Sequence, residues 1–168
     1  WACEGHPKHL LDKELLKLLQ RSGLKGLNIG IESSEQDVLK KSRRNVFMKE
    51  DIFKLVKHCC SLGIKVGAFY VIGQMADSKK TINNTIRFAK ALNTDYAQFT
   101  ILTPYPGTPF YEDVKHLITS DNWQEFDGYT PVFRHPILTR EELLYFKEKA
   151  MQSYYLRLRW VLGYLRLI

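Results

Sequence analysis

Apolar and polar positions follow two alternating patterns along most of the chain. The stretch DKELLKLLQRSG has leucines at helical spacing, with Asp12 placed to cap the helix and Gly23 placed to end it. The stretch GLNIGI after it is mostly apolar and predicts a buried strand. A helix that leads directly into a buried strand is typical of α/β proteins.

The same order recurs along the next seventy residues or so. Helices are predicted in SEQDVLKKS with Ser34 as the cap, in KEDIFKLVKHCCSLG ending on Gly63, and in SKKTINNTIRFAKAL capped by Asp77 or Ser78. Strands are predicted in IKVGAFYVIG and DYAQFTIL, and the opening WAC fits the end of another strand. The runs are apolar on both faces, as in parallel strands covered by helices. The pattern predicts an α/β fold, either a barrel or an open doubly wound sheet.

The pattern changes after residue 115. SDNWQEFDGYTPVFRHPIL has no period and predicts an extended segment that wraps a surface. LTREELLYFKEKAMQSYYLRLRWVLGYLRL predicts a long helix that begins with a capping box of Thr139 and Glu142. Its basic, aromatic later half is compatible with a membrane surface, but packing on its own domain or on a sister subunit is favoured. We therefore divide the chain into a core, 1–115, and a packing tail, 116–168.

Composition excludes several classes of protein. The 168 residues are 45% hydrophobic and 26% charged, which is typical of a globular protein. No apolar run is long enough to span a membrane, and no signal peptide is present, so a cytoplasmic location is expected. The net charge of +7 comes from basic residues scattered among acids, so nucleic acid is not an expected partner. Because the first residue is Trp1, we expect the chain to be a piece of something longer, a processed product or a partial sequence.

Three strand ends carry unusual residues: Glu32, Gly73 and the loop TPYPGTP, which contains Tyr105. The longer stretch TPYPGTPFYEDV is predicted to be a loop throughout, because its prolines and glycine prevent a helix or a strand from continuing. Because the carboxyl ends of parallel strands meet at one edge, these residues are expected near one another. Glu32 can accept hydrogen bonds from an ammonium group or a ribose hydroxyl, and the loop backbone and Tyr105 can hold an adenine. The alternatives are that Glu32 pairs with a neighbouring arginine and that the loop is a rigid connector. No nucleophilic triad, HExxH, GxGxxG or phosphate loop is present.

Longer stretches carry a family resemblance. GLNIGIESSEQDVLKKSRRN, GIKVGAFYVIG and AQFTILTPYPGTPFYEDV resemble the later half of a radical S-adenosylmethionine (SAM) core. DNWQEFDGYTPVFRHPILTREEL resembles the segment after that core in the cobalamin-binding branch, which includes anaerobic magnesium-protoporphyrin ester cyclases and methylases. The resemblance implies the C-terminal portion of a partial (β/α)6 barrel, with about four parallel strands and a helical tail.

The resemblance also implies a function and a set of binding residues. It implies a parent enzyme that cleaves SAM to a 5′-deoxyadenosyl radical at a [4Fe–4S] cluster, and then methylates or oxidatively cyclises a small-molecule substrate. In this chain it implies that SAM is held by six residues: Glu32, Ser34, Gly73, Thr103, Pro104 and Tyr105. No catalytic residue is assigned.

The sequence departs from the family pattern in three places, one of which is that the glycine-rich strand end that holds the SAM amino group, usually on the second strand, is absent. The CxxxCxxC motif that ligates the cluster is absent, and Cys3, Cys59 and Cys60 lack its spacing. The usual GLPGET after the fifth barrel strand reads GQMADS here. We therefore expect the cluster, and cobalamin where it is used, to be bound by parts not present in this chain. We expect this chain alone to be inactive and, as an open half barrel, to self-associate.

Two other functions remain open at this point. A methylthiotransferase of the same superfamily has a similar adenine loop, although the helical tail argues against it. A non-catalytic α/β binding or assembly module fits the missing cluster cysteines.

Overall fold

Four parallel strands form one sheet in the computed structural model, which describes residues 1–44, 46–158 and 160. The strand order follows the chain, β1-β2-β3-β4, and every neighbouring pair is parallel. The strands are β1 (Ala2–Gly5), β2 (Gly26–Glu32), β3 (Lys65–Ile72) and β4 (Tyr96–Ile101). The α/β prediction is confirmed, and the opening WAC does lead into a strand.

Helices connect and follow the strands. They are α1 (Lys13–Arg21), α2 (Gln36–Lys41), α3 (Lys49–Ser61), α4 (Lys79–Leu92), α5 (Pro109–Val114) and α6 (Arg140–Tyr155). The predicted caps Asp12, Ser78 and Thr139 all accept hydrogen bonds from the first turns of their helices. The stretch PFYEDV was predicted as loop, and that prediction is wrong. Pro109 stands at the first helical position, where its missing N–H costs nothing, and Thr108 caps α5.

The two faces of the sheet have different surroundings. Alternate residues of β2, β3 and β4 are buried against the helices and form the core, for example Ile29, Ala68 and Phe99. The intervening residues, such as Asn28, Phe69 and Gln98, are only partly buried. We call the side of the sheet that these residues occupy the open face.

The tail packs on its own domain. α6 contacts β4 and α4, and Tyr154 lies fully buried with its hydroxyl donating to Thr94 O at 2.6 Å. The predicted long helix ends earlier than expected, since Leu156 forms its C-cap. The predicted helical positions at 159 and 161–168 lie outside the described residues.

The two edges of the sheet also differ. On the outer edge of β4, the Tyr155 hydroxyl donates to Ala97 O at 2.7 Å and accepts from Ala97 N at 3.0 Å. Further along, Ile101 N donates to Gly128 O at 2.7 Å. β1 pairs with β2 alone, and no other described strand lies beside it. Only the β4 edge is therefore blocked against a further strand.

Candidate functional site

All six predicted residues lie at the carboxyl edge of the sheet. Glu32 is the last residue of β2 and Ser34 follows it, Gly73 follows β3, and Thr103, Pro104 and Tyr105 follow β4. Because all four strands run in the same direction, these ends meet on one side of the molecule.

Glu32 has an unusual backbone conformation for a residue with a side chain. Its φ is +63°, and Ser33 N donates to Ile31 O at 2.7 Å, so β2 ends in a γ-turn centred on Glu32. The left-handed conformation costs a non-glycine residue about 1–2 kcal/mol. Glu32 Oε1 lies 3.9 Å from where a Cβ on Gly30 would stand, which places the carboxylate over the open face. Strain of this kind is concentrated at functional sites.

Arg44 is the neighbour of the Glu32 carboxylate. Its Nε lies 3.0 Å from Glu32 Oε2, so the arginine pairing considered from the sequence is present. Both side chains stay in contact with water, at 58% and 23% exposure for Arg44 and Glu32. An ion pair this exposed contributes little stability, so it does not explain the strained turn.

Ser34 is buried in a hydrogen-bonded cluster. Its hydroxyl donates to Glu35 Oε1 at 3.0 Å, and its backbone N–H donates to Thr85 Oγ1 at 3.1 Å. The prediction that Ser34 caps α2 is wrong, because the helix begins at Gln36 with Glu35 in the cap position. The Ser34 hydroxyl is buried and bonded to Glu35, so we expect it to stabilise the turn after Glu32 rather than to contact a ligand.

Gly73 packs against the last helix. Its φ is +78°, and a Cβ on it would lie 2.6 Å from Leu143 Cδ2. The N–H groups of Gly73 and Gln74 both donate to Asp77 Oδ2, at 3.1 and 3.0 Å. Burial raises the pKa of Asp77 to about 6, against the opposing effect of these hydrogen bonds. Asp77 therefore fixes the loop after β3, while Ser78 caps α4.

A histidine from the tail holds the same loop. His135 Nε2 lies 3.0 Å from Gln74 O, while its Nδ1 accepts from Ile137 N and Leu138 N at 3.1 and 3.0 Å. The proton must then be on Nε2, which donates to the Gln74 carbonyl. Burial lowers the pKa of His135 and keeps it neutral. Sequence reasoning missed this residue, because a lone histidine in an irregular segment gives no signal.

The loop after β4 exposes one of its three predicted residues. Thr103 and Pro104 are buried, and the Thr103 hydroxyl donates to Ile101 O at 3.0 Å. Tyr105 is 49% exposed, and its hydroxyl lies 3.7 Å from where a Cβ on Gly128 would stand. The loop thus presents one aromatic ring to solvent on a rigid base.

The open face below these residues is polar and aromatic. The Tyr96 hydroxyl donates to the Asn28 side chain, and its ring lies across Gly67. Gln98 Nε2 donates to the Tyr129 hydroxyl at 2.6 Å. Sequence reasoning missed these residues, although their alternation with buried positions along each strand is the signal that identifies them.

The described residues do not fit an iron–sulfur cluster. Among them, no group of three or more His, Cys, Asp or Glu side chains is placed to hold a metal. Cys3 lies on β1, whereas Cys59 and Cys60 lie on α3. Burial raises the pKa of Cys59 to about 11, so this residue is a thiol rather than the thiolate that iron requires.

Known proteins resemble this chain in sequence over most of its length, although no family model matches it. An uncharacterized methyltransferase of Pyrococcus horikoshii is 31% identical over 148 residues, which are 87% of this chain and 32% of that protein. The anaerobic magnesium-protoporphyrin IX monomethyl ester cyclase of Cereibacter sphaeroides is 30% identical over 136 residues, 79% of this chain and 22% of the cyclase. The chain thus spans about a third or less of the length of these relatives.

The solved structures agree on the fold. The radical SAM methyltransferase TsrM of Kitasatospora setae, solved with cobalamin and a [4Fe-4S] cluster, superposes with a TM-score of 0.62. The match is 21% identical and covers 71% of this chain and 23% of TsrM. These likenesses confirm the expected resemblance to a radical SAM core. The chain has the four parallel strands and helical tail expected of the later part of the partial barrel. Within the described ranges, no helix is long and apolar enough to cross a membrane.

Proposed function

We propose that the carboxyl edge of this sheet is the SAM-binding side of a radical SAM enzyme. The observation that supports this most is Glu32, which is held in a strained γ-turn with its carboxylate over the open face. A residue that only paired with Arg44 at the surface would not need that conformation.

The six residues have different parts in this proposal. Glu32 accepts hydrogen bonds from the ribose hydroxyls, and Tyr105 stacks on the adenine, whose edge meets the backbone of Thr103 and Pro104. Ser34 and Gly73 act indirectly. They are packed inside the protein and fix the turns that carry these groups.

The parent enzyme is proposed to methylate or oxidatively cyclise a small molecule in the cytoplasm, with no nucleic-acid partner. This rests on the relatives, which are named as a methyltransferase and an ester cyclase. Bound SAM supplies the methyl group or the radical in such reactions. The cluster, and cobalamin where it is used, would be bound outside the described residues, since none of the three cysteines fits the cluster.

A non-catalytic binding module is the second candidate, and the placement of the cysteines favours it. Iron and sulfide analysis separates the two. The sample is the intact protein that includes this chain, purified under anaerobic conditions. Iron and sulfide bound to that protein would support the enzyme. Their absence after cluster reconstitution supports the module.

Titration calorimetry with SAM tests the proposed site. Replacing Glu32 with Ala should weaken SAM binding about 10- to 100-fold, because a hydrogen bond to a charged group contributes about 1.5–3 kcal/mol. Glu14→Ala is the matched control, because Glu14 is an exposed carboxylate of α1 that pairs with Lys17 and not with Arg44. Unchanged SAM affinity in Glu32→Ala would reject the site.

We also propose that the chain self-associates through β1. The β4 edge is blocked by Tyr155 and Gly128, whereas β1 has a free backbone edge among the described strands. Light scattering at micromolar concentration should give a mass above 19.7 kDa. A monodisperse monomer would contradict this.

A further inference from the structure

His6 lies beside Glu32 on the open face. The β1–β2 register ends at Gly5, and His6 continues in an extended conformation (φ −79°, ψ 130°), which places it beside Gly30. A Cβ on Gly5 would point at the buried Leu10, at 2.8 Å. Since side chains alternate along a strand, His6 points to the opposite, open face. Glu32 Oε1 lies 3.9 Å from where a Cβ on the same Gly30 would stand, and the charge of Glu32 acts on the His6 ring, so imidazole and carboxylate are neighbours.

One contact fixes the proton of His6. Lys8 N donates to His6 Nδ1 at 3.2 Å, so Nδ1 must present its lone pair and the proton is on Nε2. Burial, together with the neighbouring His9, lowers the pKa of His6, so the ring is neutral near pH 7. Within the described ranges, Nε2 has no hydrogen-bond partner. His6 therefore offers a fixed N–H donor at this edge.

A neutral donor beside an anionic acceptor is complementary to a pair of hydroxyls. Each hydroxyl of a vicinal diol can donate to the carboxylate and accept from the imidazole. A phosphate would be repelled by the carboxylate of Glu32. An ammonium group has no lone pair, so it could not accept a hydrogen bond from Nε2–H.

We propose that His6 is a ligand-binding residue that donates from Nε2 to the ribose diol of SAM, whose hydroxyls donate to Glu32. This inference rests on the proposed function and adds a second side chain, from β1, to the site. His6 then selects ligands that carry an intact ribose. No family motif and no sequence signal assigned it.

Two substitutions separate the two nitrogens of the ring. His6→Asn keeps an acceptor near the Nδ1 position for Lys8 N–H and removes the distal donor. His6→Gln places an amide N–H donor near the Nε2 position. His116→Asn is the matched control, since His116 is an exposed histidine of the turn Lys115–Leu117 and has no ring contact with His6.

In titration calorimetry, His6→Asn should weaken SAM binding by the contribution of one hydrogen bond between neutral groups. His6→Asn should raise the Kd for SAM about five- to tenfold, while His6→Gln should stay within about twofold of wild type. His116→Asn should leave the Kd unchanged, and none of the three substitutions should change the urea midpoint. If wild type binds SAM and His6→Asn binds it equally well, the His6 assignment is overturned and the proposed function stands. If wild type binds no SAM, the proposed function itself fails.

NMR gives a second, independent measurement. The ¹⁵Nε2 resonance of His6 should shift when SAM or adenosine is added and should not shift with methionine, which has no ribose. A shift with methionine and none with adenosine would overturn the ribose assignment. It would place the amino-acid end of SAM at His6.

Discussion

Replacing Gly73 with Ala should destabilise the protein through a packing contact with α6. A Cβ at this position would lie 2.6 Å from Leu143 Cδ2, and Leu143 is almost fully buried. The φ of +78° adds a second cost, because side chains are disfavoured in the left-handed region. The family resemblance implied that the same glycine helps to hold SAM.

The expected loss in the free energy of unfolding of Gly73→Ala is the sum of two contributions. The left-handed backbone costs Ala roughly 1 kcal/mol relative to Gly, and overpacking a core contact costs about 1–3 kcal/mol. We therefore expect Gly73→Ala to lower the free energy of unfolding by about 2–4 kcal/mol. Gly63→Ala is the matched control. Gly63 has a φ of +70° with nothing within 4 Å of an added Cβ, so it should lose only the backbone part, about 1 kcal/mol.

Urea unfolding followed by circular dichroism measures both variants. A double variant, Gly73→Ala with Leu143→Ala, tests the contact directly, because the shortened side chain makes room for the new methyl group. Leu143→Ala alone should cost about 2–5 kcal/mol, and the double variant should be more stable than the sum of the two losses by about 1 kcal/mol or more. If Gly73→Ala loses no more than Gly63→Ala, or if the double variant is additive, the packing explanation is refuted.

Two further predictions concern the loop and the sheet edge. The pKa of Asp77 is raised from 3.8 to about 6, so the folded state keeps a proton that the unfolded state has lost, and stability falls as pH rises through this window. Urea unfolding should show Asp77→Asn gaining about 2 kcal/mol on wild type between pH 4 and 6; a pH-independent difference would contradict the burial of this acid. Tyr155→Phe removes both hydrogen bonds to Ala97, so we expect a loss of about 1–2 kcal/mol and faster aggregation by light scattering. Tyr145→Phe is the control, because the Tyr145 ring is exposed. If the two variants lose the same stability and aggregate at the same rate, Tyr155 does not protect the β4 edge.

The fold was predictable because it depends on periodic patterns. Buried strands such as GLNIGI and VGAFYVIG, and helices begun by Asp12, Ser78 and Thr139, indicated the order of elements and their parallel arrangement. The predictions were wrong where a polar side chain could form hydrogen bonds with more than one set of partners. Ser34 resembles a cap in sequence, but Thr85 and Glu35, the former distant in the chain, take its hydrogen bonds.

The site was predictable only in its location. The rule that parallel strands end at one edge placed Glu32, Gly73 and Tyr105 there. It does not say which of their side chains are exposed. Residues that act through tertiary contacts, such as His6 and His135, gave no sequence signal, because their partners lie on other elements or in irregular loops. Gly73 was assigned to a ligand-side loop, and only the structure shows the helix that packs on it.

The crystal structure of the protein with SAM tests the central claim most directly. The account predicts ribose density within hydrogen-bonding distance of the Glu32 carboxylate and adenine density against Tyr105, both at the carboxyl edge of the sheet. SAM density elsewhere, for example in the cleft between Arg134 and Arg140, with Glu32 bound only to Arg44, would contradict it.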